Sequence, residues 1–282
     1  MANKRFLVVG GTSLVGSHLA EVLLQRGTDE VVLFDNFSLS SPEVIRSLEA
    51  RPGVRVVRGD ALKLAQVIDA MRDVDGVFML AAFLTLPLSQ NPPAGAEVNV
   101  MGLVNVLEAA RLLGGKKVVL ASSIAVYGTN IDDVVDESTA FGSAGLSPAF
   151  GAYAASKLMG ENLGGLYAQK YAVEFCSVRF STVYGENQHS RGVNALYILE
   201  ALKDVCAGRA PRIRGDGTEA HDYIHAADAA LGMAMAMEKG GVGERYNLST
   251  FRATSVKEIV DLVLKEYDSS LTPETVTDTR TT

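Results

Sequence analysis

The sequence predicts a doubly wound α/β protein, with a parallel sheet carrying helices on both faces and a smaller C-terminal part. Three observations predict it. Short apolar runs alternate with helical patterns through the first two thirds of the chain, the order that builds a parallel sheet. The first apolar run feeds a glycine-rich turn that opens a helix. After residue 185 the alternation gives way to helices separated by short runs.

Taken in order, strands are expected at 5–10, 30–34, 54–58, 76–80, 117–121 and 173–180. The first runs into 10–16 (GGTSLVG) and an amphipathic helix over 17–25, the strand, turn and helix order of a Rossmann dinucleotide site. Glycines there let the backbone approach a pyrophosphate, and N–H groups at the helix start, helped by the helix dipole, hold its charge. Gly10, Thr12, Ser13, Leu14, Val15 and Gly16 are therefore candidate cofactor contacts. The second strand ends in Asp35, nineteen residues after Gly16, where an acid binds the adenosine ribose 2'-hydroxyl. This favours NAD, because a 2'-phosphate would meet the carboxylate, and Asn36, Phe37 and Ser38 offer no arginine in its place. The third strand leads to Gly59, Asp60 and Ala61, with Asp60 an expected adenine contact.

The helix expected over 94–113 carries an apolar stripe of Val98, Met101, Val104, Leu107 and Leu112, suited either to the core or to a partner helix. The strand 117–121 ends at Ser122 and Ser123, and the helix 151–171 carries Tyr153 and Lys157. Residues four apart share a helix face, so phenol and ammonium can enter one cleft, and the strand end can bring Ser123 to them. A free tyrosine titrates near 10. A nearby ammonium and an oxidised nicotinamide ring would lower that value and make Tyr153 a usable general base. In the C-terminal part, helices are expected at 193–207, 226–238 and 255–267, with short strands at 211–213 and 245–247. The tail 268–282, poor in apolar residues, reads as a frayed end.

Composition sets the bounds. With 26 basic and 33 acidic residues the net charge is -7 and no basic cluster is present, so no nucleic-acid partner is expected. The 282 residues, 48% of them hydrophobic, suit two domains, divided as 1–185 and 186–282 with segments of the second crossing back to the sheet. No run approaches the ~18 apolar residues of a membrane helix, and no signal-peptide core is visible, so a cytoplasmic location is expected. Cys176 and Cys206 read as buried thiols. The four histidines, His18, His189, His221 and His225, show no ligand spacing, and no metal is expected.

Together these motifs resemble the extended short-chain dehydrogenases/reductases, in their NAD-dependent epimerase/dehydratase branch, UDP-glucose 4-epimerase-like. The resemblance covers nearly the whole chain. It rests on the glycine turn, Asp35, Asp60, the segment Leu80, Ala81 and Ala82, and Asn99 within 97–102 (EVNVMG). Further matches are 122–128 (SSIAVYG), Tyr153 with Lys157, 179–185 (RFSTVYG), 222–228 (DYIHAAD) and 246–249 (YNLS). It implies that Ser123, Tyr153 and Lys157 are catalytic, that Leu80 to Ala82, Ser122 and Phe180 line the cofactor, and that Asn99 steadies the active-site backbone. It also implies a homodimer formed through the 94–113 and Tyr153 helices. Relatives usually continue further, so a last piece of the substrate lid is expected to be missing.

The chain departs from the family pattern in places. The middle glycine of the turn is Ser13, which tightens the space over the pyrophosphate. Thr182 and His221 replace an asparagine and an arginine at the nucleotide-sugar phosphates, and a mostly neutral histidine neutralises a diphosphate less well than an arginine. Arg191 is the first candidate for a substituting cation, followed by Arg209, Arg212 and Arg214. Ile124 and Ala125 stand where dehydratases carry an Asp-Glu pair, so elimination of water lacks its acid and base. The expectation is a nucleotide-sugar epimerase of the UDP-hexose 4-epimerase type, working by transient hydride transfer to bound NAD. The alternative is an NAD-dependent dehydrogenase of a free sugar, sugar acid or other small hydroxy compound.

Overall fold

The computed structural model describes residues 4–129, 134–188, 196–267 and 270–277. The chain alternates as β1 (Arg5–Val9), α1 (Leu14–Gln25), β2 (Glu30–Asp35), α2 (Pro42–Glu49), β3 (Val54–Arg58), α3 (Leu64–Met71) and β4 (Gly76–Met79). Then come α4 (Thr85–Gln90), α5 (Pro92–Ala96), a π-helical turn (Glu97–Gly102), α6 (Leu103–Leu112) and β5 (Lys117–Ser123). A 3-10 turn (Ile124–Tyr127) precedes α7 (Pro148–Tyr171), β6 (Phe175–Phe180), β7 (Thr182–Tyr184) and α8 (Leu196–Cys206). The remainder is β8 (Arg212–Arg214), β9 (Ala220–His225), α9 (Ala226–Lys239), β10 (Arg245–Leu248), β11 (Ala253–Ser255), α10 (Val256–Glu266) and β12 (Glu274–Val276).

Seven strands form one parallel sheet in the order β10-β6-β5-β4-β1-β2-β3. The six strands expected from the apolar runs are all in it, and the seventh is β10. Strands such as β4 and β6 are buried along their whole length, as parallel strands covered on both faces must be. Alternation along β1 sends Leu7 and Val9 to one face, where they join Met71 and Leu107, and Val8 to the other, with Leu19 of α1 and Met233 of α9. The strand order reverses at β1, which lies between β2 and β4, and a crevice opens there at the carboxyl ends of the strands. A third core joins α8, β8 and α10 through Tyr197, Ile213, Val256 and Val260. Among the described residues, no helix is long and apolar enough to cross a membrane.

Three expectations are corrected. The helix 94–113 is not uniform: a π turn over Glu97–Gly102 separates α5 from α6. Its apolar stripe divides accordingly, with Leu107 buried in the core while Met101 and Leu112 are exposed. The tail is not wholly frayed, because β12 pairs in parallel with β8, Glu274 N–H donating to the Pro211 carbonyl at 3.0 Å. This pairing runs through backbone groups, which a polar composition does not reveal. Cys176 is buried but Cys206, at the end of α8, is exposed. β7, β9 and β11 form a small sheet that the apolar runs do not announce.

Candidate active site

The crevice holds a cavity of about 310 Å³ running from the end of β2 to the ends of β5 and β6. Gly10, Ser13, Leu14, Val15, Asp35, Asn36, Asp60, Ala61, Leu80, Ala81 and Ala82 line it toward one end, and Ser122, Ser123, Tyr153, Lys157 and Phe180 toward the other. Gly10 has φ +81°, and a Cβ there would come 2.5 Å from the Ala81 nitrogen, so only glycine lets the turn close against the end of β4. A Cβ at Gly16 would lie 2.6 Å from the Gly11 carbonyl, which explains the close seating of α1 on the turn.

Ser13 does more than tighten the turn. It is the N-cap of α1, its hydroxyl accepting from Gly16 N–H at 3.3 Å and donating to the Gly10 carbonyl at 2.6 Å. Asp35 braces the same turn, accepting from Thr12 N–H at 3.1 Å and from Phe37 N–H at 2.9 Å. Thr12 and Gly16 thus support the cavity from beneath instead of lining it.

At the far end, Tyr153 and Lys157 are buried on α7, and Ser123 ends β5. Lys157 Nζ donates to the Ala121 carbonyl at 2.9 Å and lies 5.9 Å from the centre of the Tyr153 ring. Burial pushes the Tyr153 phenol up to about 12, against the Ser123 hydroxyl, which favours the ionised form. Desolvation is thus the dominant influence on the phenol in the protein alone. Burial also pulls Lys157 down to about 8, while the Glu161 carboxylate, one turn further along α7, holds it up.

Behind these groups lies a buried polar network that motif reading missed. Glu161 Oε1 accepts from the Ser122 hydroxyl at 2.6 Å, and Arg179 of β6 grips the carboxylate with bonds of 2.9 and 2.7 Å. Arg179 also donates to the Tyr127 hydroxyl at 2.7 Å, which donates to Asn247 of β10 at 2.6 Å. The signal available in the sequence was the charge of Arg179 inside the mostly apolar run of β6, with Glu161 one turn after Lys157 on α7.

Asn99, set by the π turn, accepts from Phe83 N–H at 2.7 Å and donates to the Ser156 hydroxyl at 3.0 Å. It braces the wall through Phe83, which lines the cavity. Thr182 and His221 are outside the cavity lining. Thr182 is buried opposite Tyr223 in the small sheet, and His221 Nε2 lies 2.9 Å from Glu219 Oε1. Of the substituting cations considered, Arg209 and Arg212 pair with Asp204 and Arg214 with Glu200, while Arg191 lies outside the described residues. The histidines also behave unexpectedly: without any ligand spacing in the sequence, the fold gathers His18 and His225 around Glu186.

Comparison with known proteins places this geometry among relatives. The model of the NAD dependent epimerase/dehydratase family matches residues 6–249. The chain is 34% identical to the UDP-glucose 4-epimerase of Mycolicibacterium smegmatis over 268 residues, covering 90% of this chain and 80% of that one. A crystal structure of the UDP-glucose 4-epimerase of Thermus thermophilus in complex with NAD superposes with a TM-score of 0.82 at 28% identity, covering 96% of this chain and 85% of that one. The UDP-glucuronic acid 4-epimerase of Bacillus cereus, in complex with UDP-glucuronic acid and NAD, gives 0.83 at 26% identity, covering 97% and 84%.

Proposed function

The chain belongs to the NAD dependent epimerase/dehydratase family, and from that premise we propose that it is an NAD-dependent nucleotide-sugar epimerase of the UDP-hexose 4-epimerase type. The observation that carries the reading is one continuous cavity with Asp35 toward one end and Ser123, Tyr153 and Lys157 toward the other. Its residues fit a dinucleotide: a turn with no room for a side chain at Gly10 or Gly16, a carboxylate at the end of β2, and apolar walls from Leu14, Val15 and Leu80. Bound NAD would supply the hydride acceptor. The cofactor contacts are those named from the sequence, with Thr12, Gly16 and Asn99 acting through the backbone they brace.

In this reading Tyr153 exchanges a proton with the substrate hydroxyl, Ser123 orients the phenol, and Lys157 supplies positive charge beside it. A phenol raised to about 12 is held protonated by the protein alone. It is thus set to donate to a carbonyl, and an ammonium next to it eases the reverse step. The pairing at Ile124 and Ala125 offers no acid or base, in keeping with epimerisation over elimination. Residues 186–282 supply the substrate part, with His221 and Arg191 as its polar contacts, joined by Thr182 of β7. Exposed Met101 in the π turn, Leu112 on α6, and Met159 and Leu166 on α7 support a homodimer through these segments. Two free cysteines fit the reducing cytoplasm.

One observation favours the dehydrogenase of a small hydroxy compound as the second reading. His221 faces Glu219, so the position where a relative of this family has arginine is partnered by an anion here. Incubation with UDP-glucose or UDP-galactose separates the two. An epimerase interconverts the sugars with no net rise in NADH absorbance, and NADH accumulation without interconversion overturns the epimerase reading.

A further inference from the structure

We propose that His18, Glu186 and His225 form a site for one divalent transition-metal ion of the zinc, cobalt or nickel class. The site joins α1, the segment after β7 and the head of α9. Glu186 Oε2 lies 3.2 Å from His18 Nε2 and 3.1 Å from His225 Nε2. The two imidazole rings are edge to face with centres 5.7 Å apart, and all three ligand atoms lie within 4.8 Å of one another. Zinc bonds of about 2.0–2.2 Å to nitrogen and oxygen in a tetrahedron set neighbouring ligand atoms about 3.3–3.5 Å apart. Two edges of this trio are already close to that spacing. Two histidines and one carboxylate leave a fourth position for water, and the Glu186 side chain, 74% exposed, faces solvent.

The hydrogen bonding of His18 points the same way. Its Nδ1 is 2.9 Å from the Leu14 carbonyl, which can only accept, so Nδ1 carries the hydrogen. In the neutral ring Nε2 is then a lone pair facing a carboxylate oxygen, an arrangement of two acceptors that a cation between them relieves. The Leu14 carbonyl is the outer partner that fixes a ligating imidazole. His225 is the weaker ligand. Its Nδ1 accepts from Ala227 N–H at 3.2 Å, so ligation through Nε2 moves the ring proton to Nδ1 and gives up that cap bond. Imidazole donors select zinc, cobalt and nickel over magnesium and calcium.

A bound ion would tie the helix that starts at the phosphate-binding turn to the segment 186–188, whose Gln188 lines the cavity. The pairings are separated by 168 and 39 residues in sequence, which is why spacing does not show them.

The test is equilibrium dialysis of untagged, chelator-stripped full-length protein against zinc chloride at neutral pH, with cobalt chloride absorption as a second readout. One zinc per chain is expected at low-micromolar free metal, with a rise in melting temperature. His18→Gln and Glu186→Gln should each weaken uptake roughly tenfold or more. His225→Asn, which keeps an N-cap acceptor, should weaken it less. His221→Gln, outside the trio, should leave it unchanged. NAD binding by each variant serves as the folding control. Absence of stoichiometric uptake by the wild type identifies a proton-bridged trio and overturns the proposal, as does magnesium uptake of equal affinity. Retention of zinc by a folded His18→Gln/Glu186→Gln double variant overturns it as well.

Discussion

Lys157 stands over Tyr153 without bonding to it: its ammonium lies 5.9 Å from the ring centre and donates to the Ala121 carbonyl. The pair is buried together, and burial moves the two groups in opposite directions, the phenol to about 12 and the ammonium to about 8. Each shift disfavours the charged form.

The lysine shift has a pH signature. A base with its folded pKa below the ordinary 10.5 binds fewer protons folded than unfolded between about 8 and 10.5, so stability rises with pH across that window. Below about pH 8 the full cost of burying the ammonium, about 3 kcal/mol, is present. Lys157→Met removes that dependence. The stability difference between wild type and variant, from denaturant melts at a series of pH values, should shift toward the wild type between pH 8 and 10.5. A flat difference contradicts the burial of the charge.

Tyr153→Phe removes only the hydroxyl and leaves the ring in its pocket with Leu88 and Ala154. Turnover should drop by about a hundredfold or more, as for a lost general acid or base, with NAD binding and the melting temperature nearly unchanged. Steady-state kinetics beside a dinucleotide titration checks this, and near-normal turnover would remove Tyr153 from the mechanism.

The Asp35 carboxylate lines the cavity while bound to two backbone amides of its own turn. A 2'-phosphate beside it would set two anions in contact, so NAD should bind at least about tenfold more tightly than NADP. Asp35→Asn should narrow that ratio. Fluorescence titration with both dinucleotides decides, and equal affinities in the wild type would sink the assignment.

Glu161→Gln should cost about 3–5 kcal/mol, lowering the melting temperature by roughly 10 °C, because it leaves Arg179, 3% exposed, without its carboxylate. The same change removes the charge that holds Lys157 up, so the lysine should titrate lower still. Calorimetry reads the first effect. The midpoint of the Lys157-dependent stability change reads the second, which a purely packing role would not move.

Local pattern alone determined the strands β1 to β6, the turn at Gly10 and the four-residue spacing that sets Tyr153 and Lys157 on one helix face. Each is encoded by neighbours: apolar runs of strand length, glycines where φ turns positive, and the period of the helix. The nineteen residues from Gly16 to Asp35 likewise measure one helix and one strand. What only the tertiary structure decided is whatever depends on distant segments meeting. The π turn that aims Asn99 at Phe83, the pairing of β12 with β8, and the Glu161 network reaching Asn247 have no local period to betray them. The acidity of Tyr153 belongs with these, because desolvation sums over every group that excludes water from the ring. His18, Glu186 and His225 do too: a hydrogen-bonded trio forms wherever the backbone brings its members together, and only the packing of α1 against α9 does so.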